Sequence, residues 1–474
     1  MGNRGAFGNG QALTNALKYG ILRLFKLSKS GLLVVLLEAR NMLNGLKNRA
    51  MRRLAQTTVG RRVTEIAEVL AAHRLHTEAR AAVRQLRDTT WLIYGITTGA
   101  CGELVPMLWQ PAGASANVLA NRFSYAEQET EEFLGFKPEK FVSLDTACYM
   151  ATAAYYQGRK LAVKRGKNEG HVMGVAMTSA VTTGRERKGA DQAIIAVRTR
   201  TGLWTVTVLM KKPENFASDA EAHRIQQGNL ADLLTLNAIL AVAELWQVPL
   251  PVDRIERSEE LDAESGALRP TRVALWSGSD QTKPMYGKVI MPDGSTREIG
   301  SLNPKEWIIF SGSFNPVTYA HDEMAREIER ATGKRVIFQI TKAHPEKQVT
   351  DQDMIDRAGQ FLYRWPVVLL EEHGLYVDKA ELFPGFEFLI GADVVVERLF
   401  DQKYYDGYLG MMAAMQRLLD LKVVFHVNGR KCADGHYKEL TDLPIPARFA
   451  SMFRAFSRRN DVSSSERRAA GAKA

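Results

Sequence analysis

The chain has 474 residues, of which 45% are hydrophobic and 24% charged, a composition typical of a globular protein and not of a disordered or fibrous one. Its length predicts two or three domains. The longest apolar runs, such as residues 32–37, are far shorter than the roughly 20 residues of a membrane helix, so no membrane span is expected. Cys101, Cys148 and Cys432 form no CxxC pair. This spacing argues against disulfides and a metal site, and it favours a reducing compartment such as the cytoplasm.

The net charge of +10 is concentrated near the N-terminus, where residues 1–62 hold twelve basic side chains and one acidic one, Glu38. This segment, called the basic arm below, is expected to be helical, and the rest of the chain is close to neutral. Such an arm can dock on a polyanionic or assembly partner, for example in a virion, or on an anionic membrane surface. It can also direct the chain to an organelle, or pack as an amphipathic helix on its own domain.

Helical and strand-like patterns alternate over residues 63–250, which predicts a layered α/β domain. Residues 251–305 are richer in Pro, Gly, Ser and charge, and we interpret them as a linker that carries a β-hairpin. The predicted elements are a helix over 63–87, a strand over 91–96, a helix over 230–246, and hairpin strands over 288–291 and 296–299.

A third block, residues 306–474, again alternates between buried-strand and helical patterns. This alternation predicts a Rossmann-like parallel sheet with helices on both faces. The predicted strands are 307–310, 336–340, 367–370, 386–390 and 423–427.

The segment after the first of these strands carries the clearest chemical signal. Its small residues allow a ligand to approach the backbone, and a helix that begins near His321 directs its positive end to the same place. Ligands of parallel sheets bind at the carboxyl ends of the strands, which is where this segment lies. There His321 can donate a hydrogen bond to a phosphate oxygen. The segment reads Gly312-Ser313-Phe314-Asn315-Pro316-Val317-Thr318-Tyr319-Ala320-His321.

This combination resembles the nucleotidyltransferases with an HxGH or TxxH signature, and the GSFNP sequence is most similar to nicotinamide or nicotinate mononucleotide adenylyltransferases. Residues 462–468 resemble the ISSTxxR motif of that family, and residues 391–393 resemble its GAD segment. The resemblance covers residues 306–474. It implies transfer of AMP from ATP, with Mg²⁺, by in-line attack of the acceptor phosphate and without a covalent enzyme intermediate.

The resemblance also implies roles for individual residues. His321 and Thr318 would face the phosphates, and Asp393 would lie beside the nucleotide. Lys342 or Lys347 would supply a basic phosphate contact, although either can equally be a solvated loop residue. The other nucleotide-binding positions would be Gly312, Ser313, Phe314, Asn315 and Gly391, with Ser463, Ser464, Ser465 and Arg468 on the ATP phosphates.

Residues 91–250 resemble the C-terminal domain of CinA, the nicotinamide mononucleotide deamidase family, chiefly in Pro111–Ala116, Tyr125 and Phe133–Gly135. The resemblance implies Ser115 as nucleophile and Tyr125 as its companion. Thr130 occupies the place of the activating lysine, and a threonine cannot take the proton of a serine. A lysine that replaces this base would have to come from another part of the sequence, and the candidates are Lys137, Lys140 and Lys188. The sequence therefore favours a binding or scaffolding domain over an active deamidase.

Both resemblances concern pyridine mononucleotides, so the sequence predicts an adenylyltransferase of NAD biosynthesis or salvage, with ATP and a pyridine mononucleotide as substrates. One alternative is an adenylyltransferase of another acceptor, such as phosphopantetheine. The other is a structural or assembly protein that retains both folds. Because CinA-like domains commonly associate, the resemblance also implies a homo-oligomer.

Overall fold

The computed structural model describes residues 77–100, 102–214, 216–276, 280–343, 348–431 and 436–456, apart from the side chains of 216–219 and 431. The chain divides into two compact units, Met1–Ala81 and Ala82–Ala474. The predicted basic arm lies outside the described residues. A helix that is described from residue 77 ends at residue 87, and every other element below belongs to the second unit. Among the described helices, none has both the length and the apolar character needed to cross a membrane.

The first sheet has seven strands in the order β2-β1-β3-β4-β5-β6, with β7 also paired to β5. β1 runs parallel to β2 and β3, and the later pairs are antiparallel. The strands are β1 (Leu92–Thr98), β2 (Val118–Phe123), β3 (Val172–Ala180), β4 (Asp191–Arg198), β5 (Leu203–Met210), β6 (Ile255–Arg257) and β7 (Thr271–Arg272).

Two long helices pack on this sheet, and the almost continuous burial of β3 and β4 shows that both of its faces are covered. The helices are α1 (Leu104–Trp109), α2 (Glu127–Leu134), α3 (Leu144–Lys164) and α4 (Phe216–Val242). Short 3₁₀ turns occur at Ala114–Ala116, Glu169–His171 and Val252–Arg254.

The second sheet has eight strands in the order β17-β14-β13-β10-β11-β12-β8-β9. Six of them are parallel and follow the order 3-2-1-4-5-6 of a doubly wound fold, while the hairpin β8–β9 pairs antiparallel with β12 at the edge. The strands are β8 (Lys288–Ile290), β9 (Thr296–Glu298), β10 (Trp307–Ser311), β11 (Arg335–Thr341), β12 (Val367–Leu370), β13 (Glu387–Gly391), β14 (Val424–Asn428) and β17 (Phe453–Phe456). A separate ribbon pairs β15 (Arg430–Lys431) with β16 (Tyr437–Lys438).

Helices cover both faces of the second sheet, as the sequence pattern predicts. The helices are α5 (Tyr319–Thr332), α6 (Asp351–Gly359), α7 (Tyr376–Leu382), α8 (Ala392–Val394) and α9 (Gly407–Asp420). One core joins α5 and α6 to one face, and a second core joins α7 and α9 to the other. A π-helical turn, Val395–Leu399, continues α8. Four 3₁₀ turns occur at Ile299–Ser301, Gln402–Tyr404, Leu440–Asp442 and Ala447–Met452.

The α/β class is confirmed, and the predicted strands coincide with observed strands to within one or two residues. The sequence predicts the long helix over 230–246, whereas α4 spans Phe216–Val242. The prediction starts too late because the first turns of α4 are mostly polar and show no apolar periodicity. It also ends four residues too late, because α4 stops before residue 243. The segment 251–305 is not one separate element. Its strands β6 and β7 extend the first sheet, whereas β8 and β9 extend the second.

Candidate active site

A cavity of about 280 Å³ lies at the carboxyl ends of the neighbouring strands β10 and β13. In a sheet of strand order 3-2-1-4-5-6, successive strands are added to one side of the first strand and then to its other side. The gap between β10 and β13 is the point where this order reverses, and ligands of open α/β sheets bind there. The charged side chains on its lining are Lys379, Arg398, Arg430, Asp393 and Glu397. The cavity is therefore polar, with a small excess of basic groups.

The turn after β10 folds back on itself at the cavity. The Phe314 ring lies over Gly312, where an added Cβ would come within 2.8 Å of the Phe314 Cζ atom. Phe314 adopts a φ of 42°, which is uncommon outside glycine, and its ring packs against those of Phe310 and His321 at centroid distances of 5.2 Å. Gly312, Ser313 and Phe314 line the cavity, as predicted, whereas Asn315 is not on the lining.

Thr318 is the N-cap of α5, and His321 occupies the third position of the helix. The Thr318 backbone N–H donates to His321 Nδ1 at 2.9 Å, and the Thr318 Oγ1 atom lies 3.0 Å from the same nitrogen. The histidine thus takes the part that a glutamate or glutamine plays in a capping box. Because a backbone N–H can only donate, Nδ1 is an acceptor, and the neutral ring carries its proton on Nε2.

His321 lines the cavity and stays neutral at physiological pH. Burial, together with the positive charges of Arg430 and Arg159, lowers the pKa of His321 to about 3. A neutral ring with a fixed tautomer can donate one hydrogen bond from Nε2 without first losing or gaining a proton. The site therefore offers a donor suited to an oxygen on which negative charge develops.

Asp393 follows β13 and lines the same cavity as His321. Its Oδ2 atom lies 3.4 Å from Arg430 Nη1. Its Oδ1 atom is buried, with no hydrogen-bond partner among the described residues. A side chain at Gly391 would overlap this oxygen, so the glycine leaves room for the carboxylate. A buried acceptor without a partner is costly unless a ligand or water satisfies it.

Lys379 is a cavity residue that sequence reasoning missed. Only 6% of it is exposed, and its Nζ atom donates to Ser311 Oγ at 2.8 Å. Ser311 in turn donates to Gln339 Oε1 at 2.6 Å. Burial, and to a lesser extent the charge of Arg398, lowers the pKa of Lys379 to about 7. The available signal was a lysine within the buried stripe of α7, between Tyr376 and Phe383.

Two residues expected at the phosphates, Thr318 and Lys342, do not line the cavity. Thr318 is 1% exposed and does not line the cavity, because its hydroxyl is turned to the His321 ring. Lys342 lies 2.8 Å from Asp351 and 3.5 Å from Glu371, away from the lining. Thr318 therefore positions the His321 ring, and Lys342 is held by its two ion pairs. The other predicted contacts, Lys347, Ser463, Ser464, Ser465 and Arg468, lie outside the described residues.

The deamidase-like residues do not form a catalytic arrangement in the described chain. Ser115 is exposed on a 3₁₀ turn, and Tyr125 is 67% exposed. Thr130 is buried and bonded to Ser124 at 2.6 Å. Lys167 reaches the same turn but donates to the Ala116 carbonyl, and no basic side chain of the described residues bonds to Ser115 Oγ.

The three lysines named as substitutes give no base either. Lys137 pairs with Glu131 at 3.7 Å, and neither Lys140 nor Lys188 has a hydrogen bond to Ser115 in the described chain. Ser115 therefore has no activating base among the described residues, and an unactivated serine is a poor nucleophile.

The described residues contain no cluster of three or more histidine, cysteine or acidic side chains that could hold a metal ion. The carboxylates of Asp393 and Glu397 are the acidic groups on the cavity lining. Mg²⁺ is commonly bound through one or two carboxylates together with substrate phosphates. Asp393 and Glu397 are therefore the carboxylates of the described lining that have the chemistry to contact such an ion.

The sequence matches no protein-family model and no curated protein. The structure is similar to the competence/damage-inducible protein CihA from Agrobacterium tumefaciens, at 18% identity and a TM-score of 0.26, over 36% of this chain and 95% of that one. It is similar to a competence or damage-inducible protein from Enterobacter asburiae, at 14% identity and a TM-score of 0.26, over 35% and 98%. A CinA superfamily protein from Enterobacter cloacae gives 13% identity and a TM-score of 0.26, over 35% and 92%. Likeness at this level assigns no activity to the chain.

Proposed function

We propose that the second sheet carries an adenylyltransferase site that moves AMP from ATP to a pyridine mononucleotide. The observation that supports this most is the meeting of the turn that bears His321 and the segment that bears Asp393 in one cavity. That cavity lies at the end of the sheet where nucleotides bind in doubly wound folds. The two segments are the ones that resemble nicotinamide or nicotinate mononucleotide adenylyltransferases.

In the proposed reaction an oxygen of the acceptor phosphate attacks the α-phosphorus of ATP, and the bond from that phosphorus to the pyrophosphate oxygen breaks. The side chains of this cavity contribute position and charge, and none of them forms a covalent bond. His321 Nε2–H would donate to an α-phosphate oxygen, while Arg398 and Arg430 would offset negative charge. Mg²⁺ would enter as part of the substrate, bound to ATP.

The lining also suits a flat aromatic acceptor. Tyr376, Tyr404 and Tyr405 lie on the cavity wall, and an aromatic side chain can stack on a pyridine or adenine ring. For the first sheet we propose a scaffolding or binding role, because Ser115 has no base among the described residues. A purely structural role for the entire chain is the alternative that this absence favours.

The proposal is tested by incubating the full chain with ATP, Mg²⁺ and one acceptor at a time, followed by mass spectrometry of the products. We expect a dinucleotide and pyrophosphate with nicotinamide or nicotinate mononucleotide, and no adenylylated product with phosphopantetheine. A product only with phosphopantetheine would contradict the choice of acceptor. No product with any acceptor would favour the structural role.

Lys379 gives a prediction that needs no turnover. A phosphate group bound beside it should raise its pKa from about 7, so at pH 8 the complex should take up a proton. Calorimetry of ATP binding in buffers of different ionisation enthalpy measures this uptake. The Lys379→Met variant should bind ATP without taking up a proton. The control is Lys305→Met, which replaces an exposed lysine before β10 and should behave like the unaltered chain. Equal heats in all buffers for the unaltered chain would contradict the assignment.

A further inference from the structure

A buried ion pair from the part of the chain that forms β1–β7 and the helices packed on them, called the first sheet's domain below, reaches the turn that carries His321. Arg159 lies on α3, and Glu169 lies on the 3₁₀ turn before β3. Their side chains are 3% and 7% exposed, and Arg159 Nη2 lies 3.0 Å from Glu169 Oε2. A second contact, from Arg159 Nε to the same oxygen, measures 3.1 Å. Neither residue belongs to the motifs that suggested a function for this domain.

The pair contacts the backbone on both sides of Thr318. Arg159 Nη2 donates to the Val317 carbonyl, and the Tyr319 N–H donates to Glu169 Oε2 at 3.3 Å. The first N–H groups of a helix have no partner within the helix, so Glu169 caps α5 from another domain. A carboxylate at this end is also favoured by the helix dipole.

The same turn is held on its other side by its own domain. Gln360 accepts from the Val317 N–H at 2.8 Å and donates to the Phe314 carbonyl at 3.2 Å. The backbone at Thr318 is therefore fixed by groups from both domains. Since the Thr318 N–H is what makes His321 Nδ1 an acceptor, the orientation and the tautomer of the histidine depend on this fixed backbone.

We propose that Arg159 and Glu169 are positioning residues for His321, which makes the first sheet's domain a structural part of the transferase site. This inference rests on the proposed function for its kinetic consequence but not for its structural one. A buried pair that served only to join the domains would stabilise the interface without affecting the imidazole.

The test compares Glu169→Gln and Arg159→Lys with Tyr363→Phe in the full chain. Tyr363→Phe removes a hydrogen bond of 2.8 Å to Asp145 across the same pair of domains, and that bond touches none of residues 317–321. Glu169→Gln keeps the shape of the side chain, so the variant is expected to fold, which circular dichroism checks.

The first readout is the ¹⁵N spectrum of His321, assigned by its loss in His321→Ala. We expect the unaltered chain and Tyr363→Phe to show a neutral ring protonated on Nε2. Glu169→Gln and Arg159→Lys should show a mixture of tautomers. The second readout is kinetic: kcat should fall about 10- to 100-fold in both variants while the KM for ATP stays within about twofold.

Unchanged His321 spectra in folded Glu169→Gln and Arg159→Lys would overturn the inference. So would a change of equal size in Tyr363→Phe. If the unaltered chain has no transferase activity, the proposed function fails, but the spectra still decide the positioning role.

Discussion

Replacing His321 by alanine is expected to lower the kcat of AMP transfer about 100- to 1,000-fold, the effect typical of losing one preorganised donor to a developing negative charge. The KM for ATP should change little, because this hydrogen bond strengthens as the α-phosphate gains charge and contributes less in the ground state. Product formation under saturating ATP and acceptor measures the loss.

The matched control is His223→Ala, which removes a histidine of the first sheet's domain that bonds to the Lys211 carbonyl at 2.6 Å. Its kcat should be unchanged, because His223 does not line the cavity. Because the pKa of His321 is lowered to about 3, its charge does not change between pH 5 and pH 9. A dinucleotide formed by His321→Ala at the unaltered rate would contradict the assigned role.

Replacing Asp322 by alanine is expected to lower the free energy of unfolding by about 3–5 kcal/mol, the cost of removing one partner from a buried ion pair. Asp322 is 4% exposed and accepts two hydrogen bonds from Arg364, at 2.8 and 2.7 Å, and one from Trp365 at 2.9 Å. It lies in the first turn of α5, directly after His321. Urea denaturation followed by circular dichroism measures the change.

The loss should depend on pH. Burial alone would raise the pKa of Asp322, but Arg364 and Arg326 outweigh it and hold the pKa below its usual value. The stabilisation is therefore complete above about pH 4, the unfolded value, and is lost as the pH falls through the lower folded pKa. Glu381→Ala, which breaks a half-exposed pair with Arg417 at 2.9 Å, should cost less than about 1 kcal/mol. Equal losses in both variants would contradict this account.

The sequence predicts well those strands that consist of an uninterrupted run of apolar residues. The run Val367–Leu370, preceded by Pro366 and followed by the exposed Glu371, coincides with β12, because a short run of four apolar residues next to a proline is typical of a buried strand. The start of α4 was missed because the polar residues 220–229 have no apolar stripe. The assignment of β6 and β7 to one sheet and β8 and β9 to the other depends on contacts between distant parts of the chain, which local patterns do not record.

The site was predicted in part. His321, Gly312, Phe314 and Asp393 lie at the cavity because the ends of parallel strands meet at one edge of the sheet. The hydroxyl of Thr318 was assigned to the phosphates, but in the structure it faces the histidine ring, and a motif does not specify such an orientation. The roles of Arg159 and Lys379 arise from packing between elements that are far apart in the chain, so no local spacing reveals them.

The most direct test is a crystal structure of the full chain with Mg²⁺ and a non-hydrolysable ATP analogue. We expect the α-phosphate beside His321 Nε2, the nucleoside near Asp393, and residues 463–465 on the β- and γ-phosphates. A nucleotide bound away from the β10 and β13 strand ends would contradict the proposed site. Residues 463–468 on the opposite side of the domain would contradict it as well.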